Sequence, residues 1–303
     1  MKLRFLVETV DGAQQELERP VSLLLTRSAD TPADSLKVVF LLASGSWEQE
    51  IVRIDLQVDG VWWFRGICDR QIVGIDSEGC KLTVWARSDA AVLLDNEAIP
   101  QEYRYISLWE MFEKHLAPYG FQRDFAENSL VLNYQVGKGV SEWDAFSTFC
   151  ERTVGRRPHI HLSHVLLGLP GQSSHVIAAD EAVTAVRHTI RRSEVISQVL
   201  LRDELGRYST ALQNGAAQKL KITRRRCMLP SAEWSFPRQD VQLKMQESMR
   251  GREQWEIELS KLTAWNLGDE VSGTRGGITF RGNIVYEEFE FSSSGEKTTV
   301  MIE

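Results

Sequence analysis

Ser107-Leu108-Trp109-Glu110-Met111-Phe112 opens a helix inside a chain that otherwise reads mostly as strand. Ser107 and Glu110 have the spacing of a capping box. In that motif hydroxyl and carboxylate each satisfy a backbone N–H that the first helical turn leaves orphaned. Leu108, Met111, Phe112, Leu116 and Tyr119 then recur at the helical period, and Gly120 supplies a left-handed stop. A second start follows at Ser141, with Asp144 at the third helical position. Trp143, Phe146, Phe149 and Cys150 form its apolar stripe, and Gly155 ends it. The two starts match as Ser-x-Trp-acidic-x-Phe, through Ser107, Trp109, Glu110, Phe112 and Ser141, Trp143, Asp144, Phe146. That match has two readings, an internal duplication or two helices meeting one capping requirement. The whole stretch from Tyr105 to Leu169 is predicted as two short amphipathic helices with extended segments, including a strand from Pro158 to Leu167.

The arms on either side are β-rich. Val21 to Thr26, Leu36 to Leu42, Ile51 to Val58, Val61 to Ile67 and Lys81 to Arg87 read as strands before Pro100. Asp59-Gly60 is a strong hairpin signal, because a type I′ turn needs positive φ at both positions. Asp76-Ser77-Glu78-Gly79 reads as another turn, and Ser88 to Leu94 as a short helix. Regularly spaced short strands predict a small barrel or sandwich. Pro170 to Ser174 reads as a linker. Beyond it, Val186 to Arg192, Val195 to Arg202, Arg207 to Leu212 and Leu220 to Met228 read as strands, with Asn214-Gly215 as a tight turn. A helix is expected from Arg238 to Met249, with Val241, Met245, Ser248 and Met249 on its face. Strands then follow at Trp255 to Leu262, Ile278 to Phe280, Ile284 to Phe291 and Thr298 to Ile302. The expected fold class is α+β, mainly β, with units at 1–100, 101–170 and 171–303.

The 303 residues carry a formal net charge of −7, which argues against a generic nucleic-acid binder. Cys68, Cys80, Cys150 and Cys227 have no CxxC spacing and read as free, buried thiols rather than a disulfide frame or zinc site. Met1 to Val10 lacks the apolar core of a signal peptide, and no apolar run approaches the roughly 20 residues that span a bilayer. Synthesis in the cytoplasm is therefore expected.

Candidate chemistry is sparse. His159 and His161 alternate on one strand face, with His164 and His175 nearby, but no carboxylate or cysteine completes a metal set. Arg156-Arg157, Arg191-Arg192 and Arg224-Arg225-Arg226 are basic runs. On a strand, successive side chains point to opposite faces, so no run makes a one-sided phosphate patch. Solvated faces or ion pairs between subunits fit them better. Glu110, Glu142 and Asp144 read as charges complementing the helix dipoles. GxSxG and HExxH are absent. No catalytic, cofactor-binding or metal residue is assigned.

Across nearly its full length the chain resembles the baseplate hub proteins of phage tails and related contractile injection systems. These include the Mu-like hub, late control protein D and the hubs of Gram-positive prophages. The resemblance rests on Lys81-Leu82-Thr83-Val84-Trp85-Ala86-Arg87-Ser88-Asp89 with Leu93-Leu94-Asp95, and on Tyr119-Gly120-Phe121. Gly139-Val140-Ser141 with Gly155, and Arg191-Arg192-Ser193-Glu194-Val195-Ile196-Ser197 with Val199, continue it. Arg225-Arg226-Cys227-Met228 and Leu267-Gly268-Asp269-Glu270-Val271 complete it. It implies two tube-protein-like β-barrels with a small α/β domain between them, and no fused lysozyme, peptidase or needle domain. It also implies a homotrimer whose six barrels adapt a sixfold tail tube to a threefold spike. The implied partners are the tube or distal tube protein, the spike and the tape-measure protein, with no enzyme activity, cofactor, membrane or specific nucleic acid. A β-rich carbohydrate- or protein-binding module, using Trp62 or Trp63 as an aromatic platform, is the alternative. A tail-associated hydrolase is the third.

Overall fold

The computed structural model describes residues 2–18, 20–42, 47–77, 79–178, 181–230 and 237–303, with only the backbone at Pro237. Met1 of the N-terminal segment and Glu78 of the turn read above lie outside the described residues.

The protein is mainly β. One 13-stranded sheet runs, in spatial order, Gln14–Leu17, Leu3–Thr9, Ile51–Val58, Val61–Asp76, Gly79–Ser88, Ser35–Leu41 and Pro20–Ser28. It continues through Ile278–Ser292, Gly295–Ile302, Glu253–Leu259 and Val183–Ile190. Glu270–Arg275 and Ser174–Ile177 branch off the first part of Ile278–Ser292. Among the described residues no strand pairing closes either half of this sheet into a barrel. Asp59 and Gly60 have φ of 49° and 83°, both positive as their turn requires.

The two strands expected at Ile278–Phe280 and Ile284–Phe291 are one continuous strand, Ile278–Ser292, with a bulge between Ile284 and Tyr286. Its first part packs Phe280 and Ile284 into a core with Ile257, Leu259, Val271, Val300 and Ile302. Farther along, Phe289 packs into a different core with Phe5, Leu25, Val38, Phe40, Phe64 and Leu82. A single strand can serve both cores because side-chain direction alternates and a bulge re-aims it locally.

The helices are α1 (Ala91–Asp95), α2 (Leu108–His115), α3 (Glu142–Val154), α4 (Gly215–Lys219) and α5 (Pro237–Glu247). α2 and α3 form the small central unit with the ribbon Gln101–Ser107/Leu130–Val136. Ala90, Leu93 and Ala98, on the N-terminal side of Pro100, also pack into this unit's core. Ser107 and Glu110 make the full capping box, and the Ser141 hydroxyl accepts the Asp144 N–H. Gly120 and Gly155 end their helical turns at φ of 88° and 67°. Val241 and Met245 of α5 face a small separate core with Ile196, Val199 and Leu201.

Several local expectations change; the strands expected at Val195 to Arg202 and Arg207 to Leu212 shrink to Gln198–Leu201 and Thr210–Gln213, and α2 ends at His115 before a separate turn, Ala117–Tyr119. Pro158–Leu167 is a hairpin of two strands, Pro158–His161 and His164–Leu167, turned at Leu162 with φ 55°. Asn214-Gly215 starts α4 rather than a tight turn, because the Asn214 side-chain Oδ1 accepts the Ala217 N–H as an N-cap. Of Leu220 to Met228, only Arg225–Met228 is strand, since Leu220 still caps α4. Pro170 to Ser174 is no free linker. Gly171 N–H donates to Leu267 O at 2.7 Å, Ser173 N–H donates to Asp269 Oδ1, and Ser174 begins a strand.

Candidate functional site

The most unusual chemistry of the molecule lies where the sheet halves and the small unit meet. Arg27, on Pro20–Ser28, is the direct cross-strand partner of Glu287 on Ile278–Ser292. Its guanidinium donates to Trp63 O at 2.5 Å and lies over the Trp63 and Phe289 rings, 5.6 and 5.4 Å from their centroids. Asp34 Oδ2 is 3.7 Å from Nε and Glu287 Oε2 is 3.6 Å from Nη1. Those separations are attractive but too long for good hydrogen bonds. Two carboxylates therefore face one largely covered cation. Burial pushes Glu287 up to about 8 and Asp34 up to about 6, with Arg27 only partly opposing it.

His159 and His161 come from the small unit's hairpin to line a cavity over the same point, with Arg27, Asp34 and Trp63. The spacing thus brings these two together as expected, but beside a cation. Burial first, and then neighbouring His161 and Arg27, push His159 down to about 4. His161 is lowered by burial and by Arg27. His164 is exposed, and His175 lies elsewhere, stacked 4.9 Å from Trp265 with Nε2 at 2.9 Å from Asp269 Oδ2. Among the described residues no group of three His, Cys, Asp or Glu is placed to hold a metal ion.

A second buried network stands inside the small unit. His115 Nδ1 is 2.5 Å from Glu142 Oε2, and Tyr103 Oη is 3.1 Å from His115 Nε2. Tyr119 Oη donates to Glu142 Oε1 at 3.2 Å. Burial, with Glu142 adding, pushes the Tyr103 hydroxyl up to about 12. Glu142 is therefore more than the helix-end charge expected of it: it ties α3 to α2 and to the turn after it. Sequence reasoning passed over His115, although its position four residues after Met111 puts it on the buried face of α2.

The basic runs find partners within the chain. Arg157 reaches Glu151, Asp30 and Glu247, and Arg191 reaches Gln254. Arg224 donates to Arg192 O and Val195 O, and Arg225 to Gln198 Oε1. Trp62 and Trp63 share no exposed platform. Trp63 is buried against Phe289, whereas Trp62 is exposed, with the Arg65 guanidinium 5.6 Å from its ring centroid. Cys80 and Cys150 are buried, but Cys68 is half-buried and Cys227 is exposed, on a strand where Arg225 and Arg226 are exposed too. Among the described residues no helix is long and apolar enough to cross a membrane.

Family models and curated proteins give no match to the sequence. Solved structures do. A tail protein from Neisseria meningitidis MC58 superimposes with a TM-score of 0.78 at 15% identity, covering 100% of this chain and 96% of its own. The 43 kDa tail protein of prophage MuSo2 from Shewanella oneidensis gives 0.76 at 13% identity, covering 99% and 98%. This is a phage-tail-protein fold. An Escherichia coli type VI secretion component, described as structurally similar to the T4 tail proteins gp27 and gp5, also carries it. That match has a TM-score of 0.59 at 9% identity and covers 99% of this chain and 76% of the other. Identity this low means the tail-protein fold is kept by the pattern of burial and pairing rather than by particular side chains.

Proposed function

We propose that this chain is a structural baseplate hub of a phage tail or tail-like injection particle, joining a sixfold tail tube to a threefold spike. The observation that carries the reading is the superposition on tail proteins from end to end of both chains, not of one domain alone. In this role the units 1–100 and 171–303 act as two tube-protein-like barrels and 101–170 as the α/β unit between them. Three copies present six such units to the tube, the spike docks on the opposite side, and the tape-measure protein lies within the bore. The work is done by surfaces, so the hub is not an enzyme and needs no cofactor. The long sheet supports this, because a sheet with unpaired ends gains from neighbours that cover its edges. Light scattering over a range of concentrations tests it. A mass of three chains, alone or once spike or tube protein is added, is expected. A stable dimer with a twofold interface overturns the reading.

A further inference from the structure

The buried cluster at the seam has an unbalanced charge. Glu287 is fully buried, and the Arg27 guanidinium meets its carboxylate only through a long contact, 3.6 Å from Oε2 to Nη1. Its cross-strand neighbour on one side is Arg27, and on the other Val300, which offers no polar group. Arg27 has to serve Asp34 as well. The other charged or titratable groups facing the cluster are Asp269, which adds negative potential at Glu287, and His159 and His161 beside Arg27. One cation among these carboxylates leaves an uncompensated buried negative charge if all ionise, and a buried carboxyl in that position keeps its proton instead.

We propose that Arg27, Asp34 and Glu287 form a one-proton lock on the seam, closed while the Glu287 carboxyl is protonated and loosened when the carboxylate forms. The lock joins Pro20–Ser28, the shared strand Ile278–Ser292 and, through the cavity over Arg27, the Pro158–His161 strand of the small unit. It stands on this geometry and does not depend on the hub reading. A carboxyl that ionises near 8 when folded and near 4.5 when unfolded stabilises the fold fully below pH 4.5, and that share is lost as pH rises to 8. Asp34 acts in the same sense but has finished by about pH 6. His159 acts oppositely: its contribution is present above pH 6.5 and lost as pH falls toward 4. Within the seam, then, the window from pH 6.5 to 8 belongs to Glu287.

Urea unfolding and amide hydrogen exchange across that window test the lock in the wild type and in Glu287→Gln, which keeps the shape of the protonated carboxyl. In the wild type the folding equilibrium constant is expected to fall by up to about tenfold per pH unit, the limit for one proton. Exchange should accelerate first in Pro20–Ser28 and Ile278–Ser292. In Glu287→Gln both trends should vanish. A flat wild-type profile, or an unchanged slope in the variant, overturns the proposal. Carbon-13 NMR of the Glu287 carboxyl in the wild-type chain reads the same proton without any substitution. Titration near pH 8 supports the lock, and titration in the ordinary carboxylate range overturns it.

Discussion

Phe146 illustrates what a single residue contributes here. It is fully buried in the small unit, edge-on to Phe112 at 6.3 Å between ring centroids and tilted against Phe125 at 6.4 Å. Tyr134 and Phe149 repeat the edge-on contact at 5.0 Å. Aromatic pairs of this geometry add to simple burial, and truncating a buried Phe leaves a cavity that a close-packed core fills only in part. Phe146→Ala is expected to lower stability by about 3–5 kcal/mol, measured by urea denaturation. An unchanged midpoint would mean that α3 does not bury this face. Trp109 and Trp143, equivalent in the two helix starts, diverge at this scale. Trp143 is buried, whereas Trp109 is partly exposed under the Arg123 guanidinium at 3.9 Å. What the two starts share in the structure is the serine cap and the buried phenylalanine, Phe112 and Phe146.

At the scale of elements, the segment from Pro170 to Ser174 matters more than its composition suggests. Gly171 lies so close to the turn before Glu270–Arg275 that a Cβ there would sit 2.2 Å from Asp269 N and 2.7 Å from Leu267 O. Both are backbone atoms held in the turn, so neither can move aside cheaply. Asp269 organises that turn by accepting from Asn266 N and Ser173 N and by holding His175. Gly171→Ala is therefore expected to destabilise by about 1–3 kcal/mol through overpacking, visible as a lowered melting temperature. Gly215→Ala, where a Cβ meets nothing, is the control and should leave melting nearly unchanged.

At the scale of the whole molecule, the arginines bear on the proposed bore. A strongly basic wall would hold nucleic-acid phosphates through counterion release and slow their passage. The chain's charge of −7 and the use of Arg224 and Arg225 donors within the chain both point to a neutral or acidic lining. Cryo-electron microscopy of the assembled particle is expected to show Arg224–Arg226 away from the bore. A channel lined by those three side chains would reverse this assignment.

The caps at Ser107 and Ser141, the stops at Gly120 and Gly155, the Asp59-Gly60 hairpin and the β-rich arms were legible in the sequence, because each rests on groups only a few residues apart. Ser107 reaches Glu110, and a period of 3.6 or 2 is a local property of the chain. Breaks within the chain were less visible. The turn at Leu162 and the cap at Asn214 use residues whose neighbours do not announce the geometry. Only tertiary structure decided that Ile278–Ser292 is one strand serving two cores, that Gly171 is pinned by a turn almost a hundred residues away, and that Glu142 meets His115. It alone placed Arg27 opposite Glu287, because long-range register follows from which faces are buried together, and two charges that are harmless in a list become a proton-holding cluster only when water is excluded from both.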